Sequence, residues 1–310
     1  KTDTFQSVLL GIPGSAGAQA TIVDGFPLAK KGEAARALGA SYVATLFGGI
    51  FGGIALFLAI QIAKPLILSL GSPELLMLAL LGLSMVGVLT GKNAMIGIWA
   101  GVFGLLLGSV GAAPSVTEYR YSFDSLYLQH GISLPILALG LFAFPVMIDL
   151  LADGTGGIAK TQKVGSGLWQ GMKDAFNHKF LIFRSSVIGA IIGFVPGLGG
   201  SVVDWISYGL AKQTEKNTEN FGKGDIRGVI APESSNSAKE GGSLIPTLLF
   251  GIPGSATTAM LLGGFTLMGI QAGPKMLGED LDLTMTIIWT LVLANVVGAI
   301  VCIALTKQIS

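Results

Sequence analysis

The hexapeptide Gly11-Ile12-Pro13-Gly14-Ser15-Ala16 returns without change as Gly251-Ile252-Pro253-Gly254-Ser255-Ala256. Each residue type in it has a mechanical meaning. Pro13 and Pro253 lack an N–H and restrict the residue before them, so each is expected to end an incoming helix. Gly14 and Gly254 permit a positive φ at the turn. Ser15 and Ser255 then stand where an N-cap opens the next helix. The uncovered N–H groups and the positive dipole end of such a helix attract an anion. Two of these facing each other near the middle of a bilayer would suit a small dianion or trianion. A related break, Pro196-Gly197-Leu198-Gly199-Gly200-Ser201, offers a third hydroxyl and a third run of backbone donors. The competing explanation for one copy is a kinked, self-capped helix used only for packing; two copies and a related third break favour the anion site.

Four further polar residues, Glu233, Asn236, Ser237 and Glu240, fall at i, i+3, i+4 and i+7, on one helical face leading into the second break. A solvated face accounts for them equally well, because the stretch Lys212 to Arg227 before them is strongly polar. Asp204 follows the third break by four residues, and only Arg184 carries charge besides it between 180 and 211. A charge in a membrane segment is costly, which makes Asp204, with Glu233, a candidate for coupling Na⁺ or H⁺; snorkelling to the surface is the alternative for Asp204. Lys239 could meet a substrate carboxylate, although its neighbour Glu240 favours an ordinary ion pair. Asn236 is placed close to the proposed anion.

Other chemistry is excluded by counting. The single Cys302 allows no internal disulfide framework or cysteine metal site, and His130 and His178 are too few for a histidine cluster. Gly87-Val88-Leu89-Thr90-Gly91-Lys92-Asn93 lacks the length and the hydroxyl of a phosphate-binding loop, and no complete G-x-G-x-x-G occurs. Neither histidine is expected within reach of Ser15 or Ser255, so a serine hydrolase is the lesser hypothesis. No enzyme, no metal and no cofactor beyond a coupling ion are expected. A net charge of +1 gives no case for nucleic acid.

The elements that must position these residues are membrane helices. Half of the 310 residues are hydrophobic (51%), only 12% are charged, and mean hydropathy is +0.71; an average soluble domain carries about 25% charge. Runs able to cross a ~30 Å hydrocarbon core lie at 41–63, 74–91, 94–113, 132–152 and 283–306. The first carries Gly48, Gly49, Gly52 and Gly53, and the third Gly97, Gly101, Gly104 and Gly108, spacings that suit close helix packing. Segments 8–28, 184–211 and 243–272 are apolar but broken by Pro and Gly, and such breaks persist in lipid mainly where they line a cavity. With loop 30–36 inside, thirteen Lys and Arg fall inside against three outside (Lys64, Arg120, Lys275), provided that 184–211 returns to the side it left. That makes 184–211 a re-entrant hairpin or a pair of spans.

Asp24-Gly25-Phe26-Pro27-Leu28 is echoed, with a one-residue gap, by Gly263-Gly264-Phe265-Thr266-Leu267. The first copy runs into a basic loop and the second into Gly278-Glu279-Asp280-Leu281-Asp282, so the copies are expected to have opposite orientations. The expected protein is therefore all-α and polytopic, with inverted repeats and broken or re-entrant helices: a first repeat over 1–152, a basic cytoplasmic loop over 153–183 and a second repeat over 184–310. Its start at Lys1 reads as that of a segment of a longer polypeptide. The alternative function is a passive channel or a structural membrane subunit.

GIPGSAGAQATIVDGFPLAKKGEAARALG at 11–39, GFVPGLGGSVVDWISYGLAKQTEKN at 193–217 and NFGKGDIRGVIAPESSNSAKEGGSLIPTLLFGIPGSATTAMLLGG at 220–264 resemble the large permease subunit of the tripartite tricarboxylate transporter family. The resemblance implies a secondary transporter of the bacterial inner membrane, driven by an ion gradient. It further implies two partners, a small four-helix membrane subunit and a periplasmic binding protein that delivers carboxylates such as citrate. Ser237 stands where that family more often has a second Asn, and Asp204 where it more often has a small residue.

Overall fold

The computed structural model describes residues 2–12, 18–67, 94–112, 118–129, 131–132, 166–195 and 199–306, with single positions at 73, 77, 80 and 148. Apart from single positions, the spans expected at 74–91 and 132–152 lie outside the described residues. Among those described, the chain is all-α, with one two-residue strand pair, Gly111–Ala112 against Tyr119–Arg120. The expected span at 94–113 is a shorter helix, α4 (Ala94–Gly108), which gives way to that strand pair.

A short α1 (Thr2–Phe5) passes into a π-helical turn (Gln6–Leu10), and α2 (Gln19–Lys30) follows a break. α3 (Ala34–Ile67) is the longest helix. After α4 and the one-turn α5 (Leu126–Gln129) come α6 (Leu168–Asn177), α7 (Lys179–Phe194) and α8 (Gly199–Thr214). α9 (Arg227–Phe250), α10 (Ala256–Leu267) and α11 (Leu281–Leu305) complete the chain. Two of these, at Ala34–Ala63 and Leu281–Leu305, are long and apolar enough to cross a bilayer. The expected loop at 153–183 is helical over its described part: α6 spaces Leu168, Met172 and Ala175 along one side and packs that side on the start of α3.

Glycine decides how the long helices meet. A Cβ at Gly48 or Gly52 would run into the backbone of Ser234 or Ala238 on α9, while one at Gly49 or Gly53 would strike Asn295 or Val292 on α11. The first glycine cluster thus has two faces, one for each neighbour. Gly104 and Gly108 of α4, by contrast, have nothing within 4 Å; close packing is not seen there among the described residues. On the other flank of α9, Gly189 and Gly193 of α7 lie against the carbonyls of Ser235 and Lys239, and Gly242 lies against Ala190. α9 is thereby sandwiched between α3 and α7, both parallel to it, with backbones touching as small residues allow.

Antiparallel neighbours are equally well marked. Arg184 near the start of α7 meets Glu215 just past α8, 3.3 Å apart, so α7 and α8 form a helical hairpin. Segment 184–211 thus returns toward the end it left. Tyr42 Oη lies 3.2 Å from Thr306 Oγ1, which sets α11 antiparallel to α3. The basic loop before α3 and the acidic loop before α11 consequently lie at opposite ends of the molecule, roughly 35 Å apart at 1.5 Å per residue.

Candidate functional site

α9 serves as a ruler for the three breaks. Thr21 Oγ1 donates to Glu233 Oε1 (2.8 Å), and Asp24 accepts from the backbone that leads into α9, so α2 runs antiparallel to α9 and begins, at Gln19, about level with Ser235. Ser207 Oγ donates to the Ala231 carbonyl (3.2 Å) and Ser235 Oγ to Asp204 Oδ1 (3.4 Å). α8 is therefore also antiparallel to α9, and its first residues, Gly199 and Gly200, come level with Lys239. Gly254 lies against Ser243 and its N–H donates to Thr247 Oγ1 (3.3 Å). From there α10 climbs alongside α9, its Leu262 and Phe265 packing in one cluster with Leu248 and Leu249. The starts of α2, α8 and α10 accordingly fall beside residues 235–243 of α9, a stretch of about 12 Å. The N-termini of α2 and α10 point toward each other.

The second break can be followed atom by atom. α9 ends at Phe250, and Gly251 takes a left-handed cap, φ 67° and ψ 18°. Its N–H donates to the Thr247 carbonyl (3.1 Å) and that of Ile252 to the Pro246 carbonyl (3.3 Å). The chain then doubles back to Ser255, whose hydroxyl accepts from the Thr258 N–H (3.3 Å) while Thr258 Oγ1 accepts from the Ser255 N–H (2.9 Å). That capping box occupies the Ser255 side chain and leaves the amides of Ala256 and Thr257 without an acceptor among the described residues.

The first break begins identically: Gly11 has φ 66° and ψ 22°, and Ile12 N–H donates to the Gln6 carbonyl (3.4 Å). Pro13, Gly14 and Ser15 lie outside the described residues, as do Pro196 and Gly197; Gly199, Gly200 and Ser201 open α8. The positive φ expected at Gly254 is found instead at Gly251. The reversal happens at the helix end, before the proline, and Gly254 is needed for space: a Cβ there would sit 2.8 Å from Ser243 Cβ. Gly11, against the Phe26 ring, and Gly251 do not meet. They lie near opposite ends of α9, roughly 30 Å apart, and only the helix starts that follow them converge.

The expectation of a solvated face on α9 is not met at its first member. Glu233 is 4% exposed, with Thr4 Oγ1 donating to Oε2 (2.9 Å) and Thr21 Oγ1 to Oε1. Asn236 and Ser237 beyond it are half-buried, about level with the point where α2 begins. Asp204 is 1% exposed, so it does not snorkel. Lys239, one turn beyond Ser235 on the same face, pairs with Glu240 at 3.2 Å.

Sequence reasoning passed over Asp24. This residue is fully buried, and its Oδ1 accepts from the N–H groups of Gly222, Gly224 and Asp225 (2.8, 2.8 and 2.9 Å) while Tyr208 donates to Oδ2 (2.9 Å). Gly222 and Gly224 adopt positive φ to aim those donors, a backbone nest around a carboxylate. The available signal was a lone acid, Asp24, set in the otherwise uncharged stretch that follows the first hexapeptide.

A family model for the tripartite tricarboxylate transporter TctA family matches residues 2–310. The chain belongs to the tripartite tricarboxylate transporter TctA family. The TctA family is one of transporters rather than enzymes. Two Agrobacterium vitis proteins are similar to this TctA-family chain. An uncharacterized 52.8 kDa protein in the TAR-I ttuC' 3' region is 31% identical over 289 residues, 93% of this chain and 57% of the relative. An uncharacterized protein in the TAR-II ttuC' 3' region is 37% identical over 107 residues, 34% of this chain and 44% of that relative. The chain thus spans little more than half the length of the first. No solved structure matches it.

Proposed function

We propose that this chain is the core of a secondary active permease of the bacterial inner membrane that takes up small di- or tricarboxylates on an Na⁺ or H⁺ gradient. A periplasmic binding protein delivers the substrate and a small four-helix membrane subunit completes the complex. The observation that carries the reading is the convergence of the starts of α2, α8 and α10 on residues 235–243 of α9. Broken helices whose N-termini meet deep inside a bundle are how backbone donors are offered to an anion away from bulk water. Ser255 caps the start of α10 and Asn236 lies at the level of the three starts, while Ser15 and Ser201 are given the same role from their place in the sequence. The opposed directions of α2 and α10 support an inverted repeat, in which alternating access moves the hairpin-bearing part against the remaining helices.

Uptake of radiolabelled citrate into proteoliposomes holding the full complex tests this. Accumulation above the external concentration under an imposed Na⁺ or H⁺ gradient is expected, and equilibration without accumulation would make the chain a passive conduit.

Asp204 is assigned to coupling. In Asp204→Asn, gradient-driven accumulation should be lost while citrate exchange across the vesicle persists, because binding and coupling are separable steps. An unchanged dependence on the gradient would reduce Asp204 to a packing residue.

Orientation is tested by labelling. In a Cys302→Ala background, Lys30→Cys should resist a membrane-impermeant maleimide in intact spheroplasts and Gly278→Cys should react. Both positions are exposed, and Gly278 has open space for a side chain. Reaction at both from one side would mean that the copies are parallel and would end the inverted-repeat reading.

A further inference from the structure

Lys239 is a cation set deep in the bundle. Its side chain is only 12% exposed, and it occupies the middle of the stretch of α9 on which the helix starts converge. Its carbonyl lies against Gly193, three residues short of the third break. Among the described residues, the charged groups that act together here are Lys239, Glu240 and Glu233 from α9 itself and Asp204 from α8. α7 brings no charge to that level, its Lys179 and Arg184 lying at the far end, and Arg36 of α3 is likewise remote.

Of these carboxylates only Glu240 is an ion-pair partner of Lys239, at 3.2 Å. The pairing is between adjacent residues of one helix, whose side chains diverge by about 100° around the axis, so both must bend to meet. Glu240 is also the more solvent-exposed member, at 38%. Glu233 is held by two threonine hydroxyls and Asp204 by Ser235. Lys239 thus has Glu240 as its ion-pair partner and Asp204 as a second carboxylate within electrostatic reach, and of the two Glu240 is the more exposed and the readier to exchange.

We propose that Lys239 is the counter-ion for a substrate carboxylate, and that Glu240 is a placeholder that occupies its ammonium until the anion displaces it. This rests on the transport reading above and adds to it the charged residue that selects for carboxylate. A buried ammonium cannot be left bare, because an uncompensated charge in a low-dielectric interior costs several kcal/mol. An exchangeable internal acid solves that problem in the empty state. It also lowers apparent affinity, since the substrate must compete with it.

The two members of the pair should therefore respond in opposite directions. In proteoliposomes containing the full complex, Lys239→Gln should raise the KM for citrate uptake at least tenfold, with less effect for acetate than for citrate. Glu240→Gln should lower the KM for citrate severalfold, because the competitor is gone. Lys239→Arg should recover part of the loss. A purely structural ion pair would make both neutralising substitutions harmful, and KM values that rise in both variants or move in neither would overturn the proposal. Glu240→Gln remains decisive even if Lys239→Gln fails to insert. Absence of saturable citrate uptake by the wild-type complex would remove the transport reading and Lys239 with it, whereas saturable uptake with unmoved KM values would remove Lys239 alone.

Discussion

Asp24→Ala should lower the thermal unfolding temperature of the detergent-solubilised protein more than any other single side-chain truncation at the basic end. The carboxylate receives four hydrogen bonds, three of them from backbone amides with no other acceptor among the described residues. Orphaning a buried donor costs about 1–3 kcal/mol, so three together approach the whole stability of a typical domain, about 5–15 kcal/mol. The loss should spread, because the nest ties α2, α8 and the start of α9 to one point. Asp24→Asn keeps an acceptor for the three amides, and Tyr208 Oη can accept from the new amide group, so its effect should be much smaller. Equal melting of Asp24→Ala and wild type would show that water replaces the carboxylate and that the nest holds nothing in place.

Gly254→Val is expected to abolish citrate uptake while leaving membrane insertion intact and lowering the melting temperature only modestly, in line with the about 1–3 kcal/mol of a local overpacking. The smallest Cβ at that position would already stand 2.8 Å from Ser243 Cβ and 2.9 Å from the Ser243 carbonyl oxygen. α10 would have to shift its first turn, breaking the Gly254 to Thr247 hydrogen bond. Displacing preorganised groups by about 1 Å can cost on the order of a hundredfold in rate. Gly264→Ala, in the same helix with open space around it, provides the control and should transport normally. Transport by Gly254→Val at the wild-type rate would dissociate the start of α10 from substrate handling.

Much of this arrangement was legible in the chain, and the reason differs by element. α3 and α11 announce themselves because α11, at least, meets the apolar phase directly: Trp289, Leu293 and Ile300 are more than half exposed. α9 is far more polar, with Pro232, Glu233, Lys239 and Glu240 inside it, yet residues 228–235 are buried throughout. A helix wrapped by other helices needs partners rather than apolarity, and partners do not show in hydropathy. That is why the face begun by Glu233 could be read as wet. The repeated hexapeptide located the second break and the glycine that caps the helix before the first, but composition could not say which glycine carries the left-handed turn. Gly251 does so because helix capping acts on the first residue after the last full turn. Asp24 was opaque for another cause: its partners are backbone amides of residues about 200 positions away, and backbone carries no sequence signature.

The matching caps at Gly11 (66°, 22°) and Gly251 (67°, 18°) have a consequence for energetics. Any proper rotation preserves the sign of every dihedral angle, so equal positive values are what two copies of one turn have, whichever way each copy points. Under the alternating-access reading proposed above, turns of the same make at both ends would store similar energy when bent. For a protein that opens alternately to either side, whatever is released on closing one end is then nearly what is required to open the other. Such a transporter would idle near balance. Moving a population from 1:99 to 99:1 takes about 5.5 kcal/mol, and a start near the midpoint takes only part of that from an ion or a substrate. Unequal hinges would have to be overcome on every cycle.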